Sequence, residues 1–193
     1  AYAKKNMKTH YIAEIGDARE INKPDESADV VLLMGSLYHL QNESDREKAL
    51  KEAYRLLKKG GLLIAAGISK FSSATWALSV YGNGCDFIDD DIYMNMLKLE
   101  LTTGKHNRPK EYPFIIANAY FHTIDELRNE VRKSGFEIVE NHAVEGCIWI
   151  TPKLDEKWQD TESRKRLLDI IHTTEHEETL IGLSPHFLVV GRK

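Results

Sequence analysis

The sequence has little cysteine, no excess of positive charge and no long hydrophobic run. Cys85 and Cys147 are too few for a disulfide framework and lack the Cys-x-x-Cys spacing of a metal site. The net charge of -4 argues against a nucleic-acid-binding protein, because phosphate recognition usually needs a basic surface. No apolar run has the length of a membrane span, and residues 1–10 lack an apolar signal core. We therefore expect a reduced, cytoplasmic protein that binds neither nucleic acid nor membrane.

The 193 residues are 42% hydrophobic and 29% charged, which is typical of one globular domain. Strands are predicted at 11–15, 28–34, 62–66, 136–144 and 186–191, and helices at 44–57, 123–135 and 160–177. Capping boxes at Ser44 with Glu47 and at Thr123 with Glu126 indicate where two of the helices begin. The order strand, helix, strand with short connections predicts an α/β fold with right-handed parallel crossovers.

Residues 70–120 interrupt this regular pattern with a segment rich in aromatic residues. We interpret them as a mostly helical lid inserted into the domain, because so long a connection usually has its own structure or function. Asp89, Asp90 and Asp91 lie in the lid and either attract a cationic substrate or form a solvated surface. His172 and His176, four residues apart on a predicted helix, are able to hold a metal but are more typical of helix-surface histidines.

Two strand ends carry the residues best suited to bind a ligand. Ligands of open α/β sheets bind beyond the carboxyl ends of the strands. The first end is Gly16-Asp17-Ala18, and the second is Met34-Gly35-Ser36-Leu37-Tyr38-His39-Leu40. We expect both ends to face one shared crevice.

At these positions the sequence resembles the class I S-adenosylmethionine-dependent methyltransferases. The resemblance rests on the order and spacing of several stretches, which are Gly16-Asp17-Ala18-Arg19, Asp29 to Gly35, Leu37-Tyr38-His39-Leu40, Leu57 to Ile64, Phe121 to Phe136, and Ser184 to Lys193. It implies a Rossmann-like sheet, mostly parallel with an antiparallel last strand, and a single methyltransferase domain over residues 1–193. It also implies S-adenosylmethionine as the cofactor.

The resemblance assigns cofactor-binding roles to matching positions. Asp17 would accept a hydrogen bond from the adenine amine, with the backbone of Ala18 at a ring nitrogen and Arg19 beside them. Asp17 is otherwise a residue that caps a turn.

The second strand end would hold the methionine part of the cofactor. Met34 and Gly35 would offer backbone carbonyls to its ammonium group. Leu37 and Tyr38 would wall the pocket, and the tyrosine ring would attract the sulfonium. Tyr38 is otherwise a core aromatic residue with its hydroxyl at the surface. His39 is the one candidate general base here, although aligning the reactants supplies much of the acceleration without a base.

The sequence departs from the family at its amino terminus. The family begins with a strand, a glycine-rich loop, a helix and a second strand ending in an acidic residue. Residues 1–6 instead resemble the end of the helix that follows this second strand in the family. In the family's strand order, 3-2-1-4-5-7-6, the strand near Val30 would become an apolar sheet edge. We therefore expect a sequence that is incomplete, or a fold completed by a partner such as a second copy in a homodimer.

The leading hypothesis is methyl transfer from S-adenosylmethionine to a nitrogen, oxygen or carbon atom of a small-molecule substrate. The main alternative is a non-catalytic, methyltransferase-like interaction protein that has lost its cofactor-binding half. A nicotinamide enzyme of another doubly wound type is a third possibility. The segment Gly82-Asn83-Gly84 argues against it, because Phe87 occupies the place of the third glycine in the fingerprint.

Overall fold

The structure, a computed structural model, describes residues 11–193. The helix end predicted over residues 1–6 lies outside this range. In chain order the strands are β1 (Ala28–Leu33), β2 (Leu57–Ile68), β3 (Lys105–His106), β4 (Ala119–Tyr120), β5 (Glu137–Ala143) and β6 (His186–Arg192). The helices are α1 (Ser36–His39), α2 (Glu43–Leu56), α3 (Ser72–Val80), α4 (Asp91–Thr103), α5 (Ile124–Lys133), α6 (Leu154–Gln159), α7 (Thr161–Thr174) and α8 (Glu178–Ile181).

Four strands form the main sheet in the order β1-β2-β6-β5. β1 is parallel to β2, and β6 is antiparallel to both β2 and β5, so β1, β2 and β5 share one direction. This is the predicted mostly parallel sheet with an antiparallel last strand. The order also matches the 4-5-7-6 portion of the strand order expected from the family resemblance.

The two faces of the main sheet have different environments. On one face, Leu63, Ala65, Phe187 and Val189 are fully buried and pack with side chains of α2 and α5 such as Leu50. On the other face, which carries the alternate residues, Val30 and Leu32 of β1 are 50% and 58% exposed. Within residues 11–193, β1 has a neighbour on one side only, so the predicted apolar sheet edge is confirmed.

The strand predicted at 11–15 is wrong. These residues have no regular structure, and Ile12 and Ile15 project into solvent. A strand needs a neighbouring strand to satisfy its backbone hydrogen bonds, and no neighbour is available to this segment among the described residues. The turn that follows is ordered by a short bridge between Asp17 and Glu20.

The predicted lid contains two helices, α3 and α4, a 3-10 turn at Phe87–Asp89 and the small antiparallel pair β3-β4. Its aromatic side chains pack together around Tyr93, which is buried. No helix among residues 11–193 is both long enough and apolar enough to cross a lipid bilayer.

Gly104 lies inside the lid, between α4 and β3, at a position that tolerates no side chain. It ends α4 with a φ of 75°, and a Cβ at this position would lie 2.6 Å from the carbonyl oxygen of Phe121. We expect Gly104→Ala to lower the free energy of unfolding by about 2–4 kcal/mol, because left-handed strain and a backbone clash act together.

Gly84→Ala is the matched control for this substitution. Gly84 has a φ of 79°, but its added Cβ would meet no atom within 4 Å. Strain alone should lower its stability by about 1 kcal/mol. Urea unfolding of both variants measures the difference, and equal losses would show that the Phe121 contact can relax.

Candidate functional site

The first predicted strand end forms a compact charged cluster at the surface. Arg19 donates from its backbone N and its Nε to Oδ1 of Asp17 at 2.9 Å, and from Nη2 to Oδ2 at 2.6 Å. These hydrogen bonds hold the pKa of Asp17 at about 2, well below its ordinary value. Asp17 is therefore a fixed carboxylate at neutral pH.

This charged cluster is tied to α2, through Asp45 in its first turn and Glu52 further along it. Arg19 Nη1 lies 3.2 Å from a carboxylate oxygen of Asp45, and the backbone N of Ile21 donates to Glu52 at 2.7 Å. A polar cavity of about 300 Å³ opens here and is lined by Asp17, Arg19, Glu20 and Lys48. Ala18 turns the other way and packs against the main core.

The second predicted strand end continues from β1 directly into the short helix α1. Leu37 is fully buried in the core, whereas Met34 is 52% exposed. The Tyr38 hydroxyl lies 3.4 Å from the carbonyl oxygen of Met34, and a Cβ on Gly35 would also lie 3.4 Å from that hydroxyl. Met34, Gly35 and Tyr38 are thus one contact group, and Leu37 anchors it from beneath.

His39 lies at the surface on the last residue of α1. Its ring stands edge-on to that of Tyr38, with a centroid distance of 4.9 Å. His39 therefore accompanies the second strand end but does not line the apolar cavity described next.

An apolar cavity of about 320 Å³ lies at the carboxyl end of β2, between the main sheet and the lid. Its walls come from the end of β2, the lid, the 3-10 turn at Gly146–Ile150 and the start of β6. The lining residues are Ile68, Ser72, Ser73, Trp76, Tyr93, Met96, His106, Ile115, Ile116, Phe121, Trp149, Pro185 and His186. The position agrees with the rule that ligands of α/β sheets bind beyond the carboxyl ends of strands.

His186 lies in the cavity wall and is hydrogen-bonded to the carboxylate of Glu145. Its Nδ1 lies 2.6 Å from Oε1 of Glu145, whose Oε2 accepts from the His186 backbone N at 2.9 Å and from Ser184 at 3.0 Å. The hydrogen bond to Glu145 raises the pKa of His186, although partial burial opposes it. Because a carboxylate only accepts, Nδ1 carries the proton and the neutral ring has its lone pair on Nε2.

Several other polar groups of the cavity are already engaged. The Ser73 hydroxyl donates to Glu100 at 3.0 Å, and the same carboxylate oxygen lies 2.7 Å from Nδ1 of His106. His106 Nε2 bonds the carbonyl of Ile116 at 3.2 Å, and the Tyr93 hydroxyl donates to the carbonyl of Ser73 at 3.3 Å. A ligand in this cavity would therefore meet mostly apolar and aromatic surface.

The structure brings together part of the predicted site and adds a part that the sequence did not reveal. Tyr38 connects the two, because its ring lies 6.5 Å from that of His186. Asp17 and Arg19 form a separate group, joined to the protein through α2. Glu145 and His186 were missed because 41 residues separate them, and the sequence signal available was a histidine at the start of the last strand.

Comparison with known proteins identifies related sequences and folds. Residues 1–65 match the family model described as a methyltransferase domain. No curated protein matches the sequence at a significant level.

Three solved structures of S-adenosylmethionine-dependent methyltransferases are similar to the chain. The protein from Mesorhizobium loti is 14% identical with a TM-score of 0.58, and the alignment covers 98% of this chain and 73% of that protein. The protein from Methanosarcina mazei is 15% identical with a TM-score of 0.53, covering 93% and 66%. The protein from Thermotoga maritima is 23% identical with a TM-score of 0.47, covering 92% and 62%.

The first two similarities establish a shared fold. The chain spans less than two thirds of the length of the Thermotoga maritima and Methanosarcina mazei proteins.

Proposed function

We propose that this chain, which has the fold of the class I S-adenosylmethionine-dependent methyltransferases, transfers a methyl group from S-adenosylmethionine to a nitrogen, oxygen or carbon atom of a small molecule. The fold and the methyltransferase match over residues 1–65 support methyl transfer. The observation that carries the proposal of a small-molecule acceptor is the apolar cavity at the end of β2, next to Tyr38 and His186.

The two strand ends offer the acceptor groups that this cofactor requires. The Asp17 carboxylate suits an adenine amine, and the Met34 carbonyl suits an ammonium group. The Tyr38 hydroxyl uses one lone pair of that carbonyl at 3.4 Å and leaves the other available. Arg19 already donates to both oxygens of Asp17, so an adenine amine would displace part of this contact. When bound, S-adenosylmethionine supplies an electrophilic methyl group.

The cavity favours an acceptor with an apolar or aromatic body and one nucleophilic group. Trp76, Phe121 and Trp149 provide wide, flat walls, and Trp149 is fixed by a hydrogen bond of 2.7 Å to the carbonyl of Leu183. Burial of such a body would exclude water from the reacting atoms. It would also orient the nucleophile towards the methyl group, which contributes to the rate.

His186 is suited to remove a proton from the acceptor. Glu145 holds Nδ1, so the unprotonated Nε2 is the basic atom of the neutral ring. Partners of this type orient an imidazole and stabilise its charged form after proton transfer. His39, whose ring centroid lies 4.9 Å from that of Tyr38, remains an alternative base.

Calorimetric titration with S-adenosylhomocysteine tests the cofactor assignment. We expect Asp17→Ala to weaken binding by about 10-fold or more, because a hydrogen bond to a charged group is lost. Glu20→Ala is the matched control, since Glu20 is an exposed carboxylate that lines the same polar cavity. Its affinity should stay close to that of the unmodified protein.

Two results would count against these assignments. Equal affinities of the Asp17→Ala variant and the unmodified protein would remove Asp17 from the cofactor site. A complete lack of S-adenosylhomocysteine binding, together with no turnover against a panel of small nucleophiles, would favour the non-catalytic interaction protein.

A further inference from the structure

We propose that Glu140, His142 and His176 form a binding site for a divalent transition-metal ion, with Zn²⁺ preferred over Mg²⁺ and Ca²⁺. One potential ligand atom from each of these three side chains lies within 4.8 Å of the other two. Glu140 and His142 belong to β5, and His176 follows the end of α7. This site is separate from the groups proposed above for methyl transfer.

The backbone places the three side chains together independently of any ion. Glu140 and His142 are two residues apart on β5 and therefore project from the same face of the sheet. The segment carrying His176 is fastened to this strand by a hydrogen bond of 2.8 Å from the backbone N of Ala143 to the carbonyl of Glu175. Two of the three proposed metal ligands thus lie on β5, and the third lies on a segment that is hydrogen-bonded to β5.

The distances within the group suit a small cation. His142 Nε2 lies 3.2 Å from Oε1 of Glu140, and the rings of His142 and His176 are 4.3 Å apart between centroids. A tetrahedral Zn²⁺ with bonds of about 2.1 Å places neighbouring ligand atoms about 3.4 Å apart. The Glu140–His142 pair has nearly this separation already, and a ring nitrogen of His176 lies within 4.8 Å of a ligand atom of each.

A backbone hydrogen bond prepares His176 to act as a ligand. Its Nδ1 lies 3.0 Å from the carbonyl oxygen of Asn141. Because a carbonyl only accepts, Nδ1 carries the proton, and the lone pair of the neutral ring is on Nε2. Metal-binding histidines commonly use this arrangement, in which one nitrogen binds the ion and the other bonds a carbonyl.

The chemistry of the ligands determines which ion is preferred. Two imidazoles and one carboxylate match the nitrogen and oxygen ligands that Zn²⁺ takes in proteins. Mg²⁺ and Ca²⁺ prefer oxygen ligands alone. The group borders an open cavity of about 380 Å³ on the sheet face, through which an ion can enter.

Calorimetric titration of ZnCl₂ into protein free of any polyhistidine tag and treated with EDTA tests this proposal. We expect one Zn²⁺ per chain, and no saturable binding of MgCl₂ or CaCl₂ under the same conditions. His142→Ala and His176→Ala should each weaken Zn²⁺ binding at least about 10-fold. Glu140→Gln removes the carboxylate with little change of shape and should also weaken binding, and it keeps the test decisive if a histidine variant folds poorly.

His172→Ala is the matched control, because His172 lies one helical turn before His176 and is exposed. It should bind Zn²⁺ as the unmodified protein does. Loss of binding in His172→Ala with full binding in His142→Ala would assign the ion to a helical histidine pair and overturn the proposal. Failure of the unmodified protein to bind Zn²⁺ saturably would also overturn it.

Discussion

Arg46→Ala is expected to lower the free energy of unfolding by about 3–5 kcal/mol, because it leaves a largely buried carboxylate without its charged partner. Arg46 is 2% exposed, and its Nε and Nη2 donate to Glu130 at 3.0 and 2.7 Å. Its Nη1 donates to the carbonyls of Leu40 and Gln41 at 2.9 and 3.0 Å. Its guanidinium also stacks 3.8 Å from the centre of the Tyr120 ring.

The same substitution should loosen the second strand end of the candidate site. The carbonyls held by Arg46 belong to the segment that directly follows α1, the helix that carries Leu37 and Tyr38. Urea unfolding measures the loss of stability. Lys51→Ala is the matched control, because Lys51 forms an exposed ion pair with Glu47 on the same helix. It should leave the free energy nearly unchanged, as exposed ion pairs contribute little.

The pH dependence of stability provides a second measurement on the same cluster. Burial alone would raise the pKa of Glu130, but hydrogen bonds from His122 and Arg46 outweigh it and hold the pKa at about 2. Since this pKa is lowered from an ordinary value of 4.5, the stabilisation is present above pH 4.5 and is lost as the pH falls towards 2. Burial also lowers the pKa of His122, so proton uptake by the unfolded chain begins to destabilise the fold below its ordinary pKa of 6.5.

Unfolding curves between pH 7 and pH 3 should therefore show a steeper loss of stability in the unmodified protein than in Glu130→Gln. The glutamine keeps a similar shape but does not titrate. Parallel losses in the two proteins would mean that other carboxylates dominate acid unfolding.

Local signals in the sequence predicted most of the central fold. The apolar run near Val30 becomes β1, and Thr123 with Glu126 forms a complete capping box at the start of α5. Ser44 lies inside α2, which begins at Glu43, so its predicted capping box does not form. Both signals use the same residue types. Whether Ser44 or Thr123 acts as a cap depends on where the preceding segment enters the helix, and the sequence does not reveal this.

The elements that failed depend on partners distant in sequence. Residues 11–15 have a strand-like composition, but a strand is stable only when another strand pairs with it. The segment after Met34 forms the helix α1, which was not among the predicted helices, because Leu37 can be buried in a core that α2, α5 and β6 complete. Hydrophobic periodicity reflects only residues that are close in sequence, so it does not reveal such long-range contacts.

The candidate site divides in the same way. Asp17, Met34 and Gly35 were proposed as site residues from the sequence because each was placed at or after the end of a predicted strand, although the strand before Asp17 does not form. The Glu145–His186 pair was not predicted, because a 3-10 turn and the three helices α6, α7 and α8 separate its members in the chain. The proposed metal-binding group combines residues of both kinds. His176 was noticed in the sequence because of its helical spacing from His172, whereas Glu140 and His142 were recognised only from their positions on β5.

His186→Gln is expected to lower kcat by about 100-fold or more if His186 removes the proton from the acceptor, as is typical of a general base. Glutamine keeps a polar side chain of similar size but has no basic atom. The rate of S-adenosylhomocysteine release measures the effect, with small amines, phenols and carbon acids as acceptors. His39→Gln is the matched control, because His39 contacts the same Tyr38 ring but does not line the apolar cavity.

The variant Glu145→Gln tests whether His186 acts as a base or only shapes the cavity. Glu145 raises the pKa of His186, so removing its charge should lower that pKa. A base acts in its neutral form, and the acidic limb of the kcat profile should therefore move to lower pH in Glu145→Gln while kcat itself falls. A merely structural role would change KM without moving this limb. If His39→Gln abolishes turnover and His186→Gln does not, the base is His39. If neither substitution lowers kcat, the transfer needs no base and depends on alignment of the reactants alone.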